Sequence, residues 1–162
     1  MTALTAHIAQ TARGGSTRSL SIFKYTRLVN HAYCTYCSHL KDEDPAPLRA
    51  IDRYQSQRIQ HVYQQSIENQ VRFFILSGKF GLIRPDTEIL SYDHLLSADE
   101  VDAMITKAQT QLKPQNIKTL FYFTASPQDQ PAVQAYLDVM VAACSAEKIE
   151  CRVTLLDAPY LD

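Results

Sequence analysis

Glycine is scarce in this chain: four in 162 residues, and two of them, Gly78 and Gly81, fall inside one pentapeptide. Neither GxxxxGK[ST] nor GxGxxG occurs, which excludes a P-loop and the standard dinucleotide fingerprint. No GxSxG elbow is present, so a hydrolase of that type is excluded as well. No apolar run approaches the roughly 18 residues of a membrane span, and no membrane partner is expected. Charge of one sign is not in excess. Sixteen basic and seventeen acidic residues leave a net charge of -1, which argues against a broadly basic nucleic-acid coat and leaves room only for a local patch. Internal repeats and low-complexity segments are absent.

Cysteine is sparse too. Of the four, Cys34 and Cys37 have CxxC spacing, while Cys144 and Cys151 form no second pair. A zinc site needs about four ligands, which the flanking His31 and His39 could complete; a thioredoxin-type redox motif would open a helix, whereas this one sits in a strand-like run. The expectation is no metal, no cofactor, and thiols kept reduced in a cytoplasm. Residues 1–20 are polar and lack the apolar centre of a secretory signal. Arg13 and Arg18 resemble a transit peptide only superficially, and the stretch reads as a flexible extension jointed at Gly14-Gly15-Ser16.

Residues 21–162 are long enough for one domain that buries a core without staples. After an ambiguous stretch over 21–29, about four strands alternate with three amphipathic helices. The strands are expected at 31–37, 72–76, 119–124 and 151–156. The first helix, over 56–69, places Ile59, Val62, Tyr63, Ser66 and Ile67 on one face. The second begins at a capping box, Ser97 with Glu100, buries Val101, Met104, Ile105, Ala108 and Leu112, and stops at Pro114. The third buries Val133, Tyr136, Leu137, Met140, Val141 and Cys144. Such alternation predicts an α/β fold of three layers, a mostly parallel sheet with helices on both faces.

Ligands of parallel sheets bind at strand carboxyl ends, and three such ends carry chemistry. The first has Cys37, Ser38 and His39, with Lys41 close behind; the second has Ser77, Gly78 and Lys79; the third has Thr124, Ala125 and Ser126. Lys79 can reach a phosphate or remain a solvated loop lysine. Ser77 is a nucleophile only beside a base, and otherwise caps backbone groups. Tyr92, Asp93 and His94 offer a stacking face, a carboxylate and an imidazole, or else pack and cap. Pro85-Asp86 reads first as a type I turn. Between Ser77 and Leu96 no periodic structure is visible over about 20 residues, and loops of that length are usually functional. Its apolar content, Phe80 and Ile89 among others, predicts a wall folded over the strand ends.

These residues carry a resemblance. Cys37-Ser38, Pro45-Ala46-Pro47, Tyr54-Gln55-Ser56, the run Leu76-Ser77-Gly78-Lys79-Phe80-Gly81-Leu82 with Pro85-Asp86, and Ser91-Tyr92-Asp93 are similar to small bacterial and phage proteins related to the peroxide-stress protein YaaA. The similarity spans roughly residues 31–124. It implies a fold similar to uracil-DNA glycosylase and a role in handling a nucleobase, nucleotide or DNA, in damage protection or base modification. Cys37, Ser38, Ser77, Lys79, Gly81, Asp86, Tyr92 and Asp93 are the positions carried over. A glycosidase-like or base-transferase-like reaction would use Asp93 or Asp86, with Ser77, as its polar machinery. Tyr92 or Phe80 would stack on the base and Lys79 would contact phosphate. Two departures stand out: the basic run usual after Cys-Ser is here His39-Leu40-Lys41-Asp42-Glu43-Asp44, and the chain is much shorter than YaaA itself. Arg49, Arg53 and Arg58, with Lys41, form one modest basic cluster. The alternative function is a non-catalytic module that senses a small ligand or docks a partner. Oligomeric state is not readable.

Overall fold

A computed structural model describes residues 30–158, 160 and 162 of the chain. The extension expected over 1–20 and the stretch 21–29 lie outside the described residues. Strand β1 (His31–Tyr36) is followed by a two-residue strand, β2 (Leu48–Arg49), and a single turn of helix, α1 (Ala50–Arg53). Helix α2 (Gln57–Glu68) begins at Ser56, whose hydroxyl accepts from the Ile59 amide as an N-cap. It leads into β3 (Arg72–Ser77), β4 (Gly81–Ile83) and β5 (Glu88–Ile89). The expected capping box of Ser97 and Glu100 is formed and opens α3 (Val101–Leu112). Strand β6 (Thr119–Thr124), helix α4 (Val133–Ala146) and strand β7 (Glu150–Leu155) complete the order.

The fold is mixed α/β, built on a five-stranded sheet in the order β4-β3-β1-β6-β7. Strands β3, β1, β6 and β7 are parallel, in register Cys34 with Phe74 on one side and with Tyr122 on the other. β4 alone is antiparallel, pairing Leu82 with Leu76. Helix α2 packs on β1 and β3, while α3 and α4 pack on each other, α3 reaching β4 and α4 reaching β6 and β7. β1 lies at the centre, so its residues 34–36 are buried. No helix among the described residues is long and apolar enough to cross a membrane.

Two expectations change. The sheet has five strands rather than four, because the stretch after Ser77 is not all loop: Gly81–Ile83 turns back along β3, and Glu88–Ile89 pairs with Leu48–Arg49. The helix faces are also rotated. α2 buries Arg58, Ile59, Val62 and Ser66 and leaves Ile67 51% exposed. α4 buries Val139 and Ala143 with the expected Val133, Tyr136, Met140 and Cys144, while Leu137 is half-buried and Val141 exposed. In α2 a charged side chain, Arg58, takes a core position that an apolar count overlooks.

Scarcity of glycine shows in the backbone. Gln70, Asn116 and Lys148 have φ values of 55°, 53° and 57°, the left-handed region that favours glycine. Gln70 and Lys148 close α2 and α4: the Val71 amide donates to Ser66 O and the Ile149 amide to Cys144 O, the long bond of a Schellman cap. Gly81 is the one glycine described at positive φ, 74°, and a Cβ there would strike the Gln111 amide. Urea denaturation should therefore separate two substitutions. Lys148→Gly should stabilise by about 0.5–1 kcal/mol by relieving left-handed strain, whereas Gly81→Ala should destabilise by about 1–3 kcal/mol. Equal effects would remove the conformational argument.

Candidate functional site

β1 is followed by a return to β3 on one side of it, and β6 by an advance to β7 on the other. The loops leaving these two neighbours diverge, which makes the crevice outside their carboxyl ends the natural ligand position. A cavity of about 150 Å³ lies there, lined by Tyr36, Cys37, Ser38 and His39 from the end of β1. Lys41, Asp93 and His94 close one side, and Gln130, Val133 and Tyr136 from the start of α4 close the other. Asp162 also reaches it.

Each wall has a local cause. The Cys37 amide donates to Leu76 O at 2.9 Å, extending the β1–β3 ladder one step. The Cys37 thiol is buried and lies 3.6 Å from the Tyr136 hydroxyl. That hydroxyl also accepts from the Leu96 amide at 3.1 Å. It can do so only because residue 78 has no side chain: a Cβ on Gly78 would sit 2.7 Å from the Tyr136 oxygen. Gly78, Tyr136 and Leu96 thus latch the segment after β5 over the strand ends.

A second network lies beside the first. Ser77 Oγ accepts from the amides of Lys79 and Phe80, both at 3.1 Å, and lies 2.9 Å from the Tyr92 hydroxyl. Tyr92 in turn meets the Tyr54 hydroxyl at 2.6 Å, and its ring packs edge-on against Phe80. Lys41 Nζ stands 4.5 Å from the centre of the Tyr92 ring and Lys79 Nζ 5.6 Å, both within cation–π range. Burial pulls the Lys41 amine below its ordinary value, against the opposing pull of Cys37 and Asp93.

A wider groove of about 610 Å³ adjoins the cavity, lined by Gly78, Lys79, Tyr92, Glu100 and Lys107. Asp93 and His94 belong to both hollows and form the ridge between them. His94 Nε2 is 3.0 Å from Glu100, which fixes the imidazole.

The expected residues therefore divide. Cys37, Ser38, Lys79, Tyr92 and Asp93 converge on the two hollows. Phe80 supports Tyr92 from behind, and Gly81 opens β4. Ser77 is fully buried and committed to the turn it caps. Asp86 lies elsewhere, exposed and bound by Arg84, on a hollow lined by Arg72 and Phe73 at the start of β3. Cys34 and Cys37, three positions apart along an extended strand, face opposite ways. No group of metal-ligating side chains occurs among the described residues. The basic cluster near α2 is not a surface patch: Arg53 and Arg58 are wholly buried, and Arg53 donates to the carbonyls of Asp42, Asp44, Ala46 and Ile89.

Tyr136, Gln130 and Asp162 are site residues that pattern reading misses. Tyr136 falls on a helical core stripe, and only its polar tip hints at another role.

The phenols of Tyr54, Tyr92 and Tyr136 are all pushed far above the usual range, by burial first and by the neighbouring Cys37 sulfur second. A raised phenol gives stability that is whole below the unfolded value of about 10 and is lost as pH rises beyond it. Folding free energy, measured by urea titration at stepped pH, should fall steadily above pH ~10. A flat profile from pH ~9 to ~12 would mean that these phenols ionise freely in the fold.

One family model, described as Family of unknown function (DUF6884), matches residues 33–159. No curated protein and no solved structure matches the chain.

Proposed function

We propose that this chain, which belongs to the family of unknown function DUF6884, binds a nucleobase or nucleotide at the carboxyl ends of β1 and β6. The observation that carries the reading is the cavity of about 150 Å³. A cavity of that size holds one flat ring such as benzene; dinucleotides and larger cofactors need several times more. Tyr36 and Tyr136 give it aromatic sides, and Cys37, Ser38, Lys41 and Asp93 give it polar edges. The Tyr136 oxygen already accepts two hydrogen bonds, leaving its proton to donate inward. Beyond the Asp93–His94 ridge, Lys79 and Lys107 line the groove, where a sugar and phosphate attached to that ring would run.

The reading is consistent with a three-layer arrangement similar to uracil-DNA glycosylase, since right-handed crossovers would put α2 on one face and α3 and α4 on the other. It also fits the YaaA resemblance and a cytoplasmic place for four free thiols. Damage protection or base modification is the process such a site would serve. Binding without turnover is favoured over catalysis by one observation. Of Asp93, Asp86 and Ser77, only Asp93 faces the hollows, so the set offers no acid/base pair.

Thermal-shift screening with bases, nucleosides and nucleoside monophosphates tests the reading, because a ligand stabilises the state it binds. A purine or pyrimidine should raise the melting temperature. Lys79→Ala should leave base affinity unchanged and weaken nucleotide affinity about 5–30-fold. No stabilisation by any member of the three classes would refute it. Release of free base on long incubation, abolished by Asp93→Asn, would turn the binding module into a glycosidase.

A further inference from the structure

We propose that the inner wall of the cavity is an oxyanion site, occupied in the free protein by the side chain of Asp162, which a ligand's phosphate or carboxylate replaces. The inference goes beyond the nucleobase reading and stands without it.

The site is built around Arg58, whose side chain is 0% exposed. Its guanidinium stacks on Tyr36, 3.5 Å from the ring centre. One nitrogen donates to Thr35 Oγ1 and Tyr36 O, both at 2.7 Å. The other donates to Cys37 O at 3.2 Å and to Asp162 Oδ2 at 2.9 Å. Nε finds no acceptor. Carbonyls and a hydroxyl orient this cation but do not neutralise it. Among the described residues, Asp162 is the one acid paired with it. A buried guanidinium needs such a counter-charge and prefers a planar, two-oxygen one.

Ser56 completes the cradle. As N-cap of the 12-residue helix α2, it donates to Asp162 Oδ1 at 2.6 Å, so the oxyanion also lies at a helix N-terminus. The occupant lies beyond β7, the edge strand on the side of β1 away from β3. Among the described residues, this stretch meets α2 through the bonds of Asp162 to Ser56 and Arg58 and the stacking of Tyr160 on His61, at 3.9 Å. Its carboxylate borders the same cavity as Tyr36 and Cys37. A ligand entering there meets the carboxylate and can exchange one oxyanion for another, so that Arg58 keeps an anionic partner. The built site thus contains an internal competitor.

The test uses the full chain carrying Asp162→Ala, melted in inorganic phosphate, in acetate and in sodium chloride of matched ionic strength. In chloride the variant should melt roughly 6–20 °C below the wild type, because it leaves Arg58 unpaired. Phosphate should recover most of that loss and should raise the wild type less, since there it must displace a tethered carboxylate. Recovery by acetate as well would assign the site to oxyanions in general, and recovery by phosphate alone to phosphate. Phosphate that stabilises the variant no more than chloride overturns the proposal. Should the variant fail to fold, a phosphate titration of the wild type followed by NMR decides the matter. The Arg58 side-chain and Asp162 signals should move together, and their standing still would overturn it equally. Because inorganic phosphate carries no ring, failure here leaves nucleobase binding untouched, and failure of every base leaves this site untouched.

Discussion

A single buried guanidinium organises the end of the central strand. Arg58 projects from α2 and takes the carbonyls of Tyr36 and Cys37, the last backbone acceptors before the chain leaves β1. Buried carbonyls without partners are costly, and the pairing of β1 with β6 ends at Thr35. By supplying donors from a helix, Arg58 allows β1 to stop inside the protein rather than at its surface. Removing one partner of a buried ion pair costs about 3–5 kcal/mol, a large part of the 5–15 kcal/mol that holds a domain together. Arg53 does the same for the adjoining turn by gathering the carbonyls of Asp42, Asp44 and Ala46. Two cations that look like a nucleic-acid patch in the sequence are therefore internal braces.

The chemistry that results is dominated by phenols. Tyr36, Tyr54, Tyr92 and Tyr136 lie about one thiol, and burial raises each phenol first, with the Cys37 sulfur adding to it at Tyr54, Tyr92 and Tyr136. Three of these hydroxyls already have partners, Gln130 for Tyr36 and one another with Ser77 for Tyr54 and Tyr92. The carboxylate of Asp93 is set at the rim, where water still reaches it.

Much of this was legible before the structure. β6 spans 119–124 as periodicity indicates, the Ser97–Glu100 box forms, and Cys37, Ser38, Lys79, Tyr92 and Asp93 do gather at strand ends. What escaped has physical reasons. Gly81–Ile83 is too short to show alternation, and its pairing partner is the strand just before it. Arg58 holds a core position that a hydropathy count passes over, and Ile67, which the count gives to the core, is exposed. Asp86 belongs to the same sequence block as Lys79, but the antiparallel return of β4 carries it toward the other end of β3. Asp162 lies 104 positions from Arg58 in the chain, a separation across which local pattern carries no information.

One last feature concerns the rims of the sheet. On the outer side of β4, the Gln111 side chain accepts from the Leu82 amide and donates to Phe80 O, so its carboxamide imitates the peptide group of a neighbouring strand and closes that border. At the opposite border, β7 has no neighbour among the described residues, and Val153 and Leu155 stand exposed. Among the described residues the sheet therefore has a polarity: an added strand is barred at β4 by a single amide and meets no such bar at β7. Within that set, backbone pairing could extend the sheet in one direction only, away from β4.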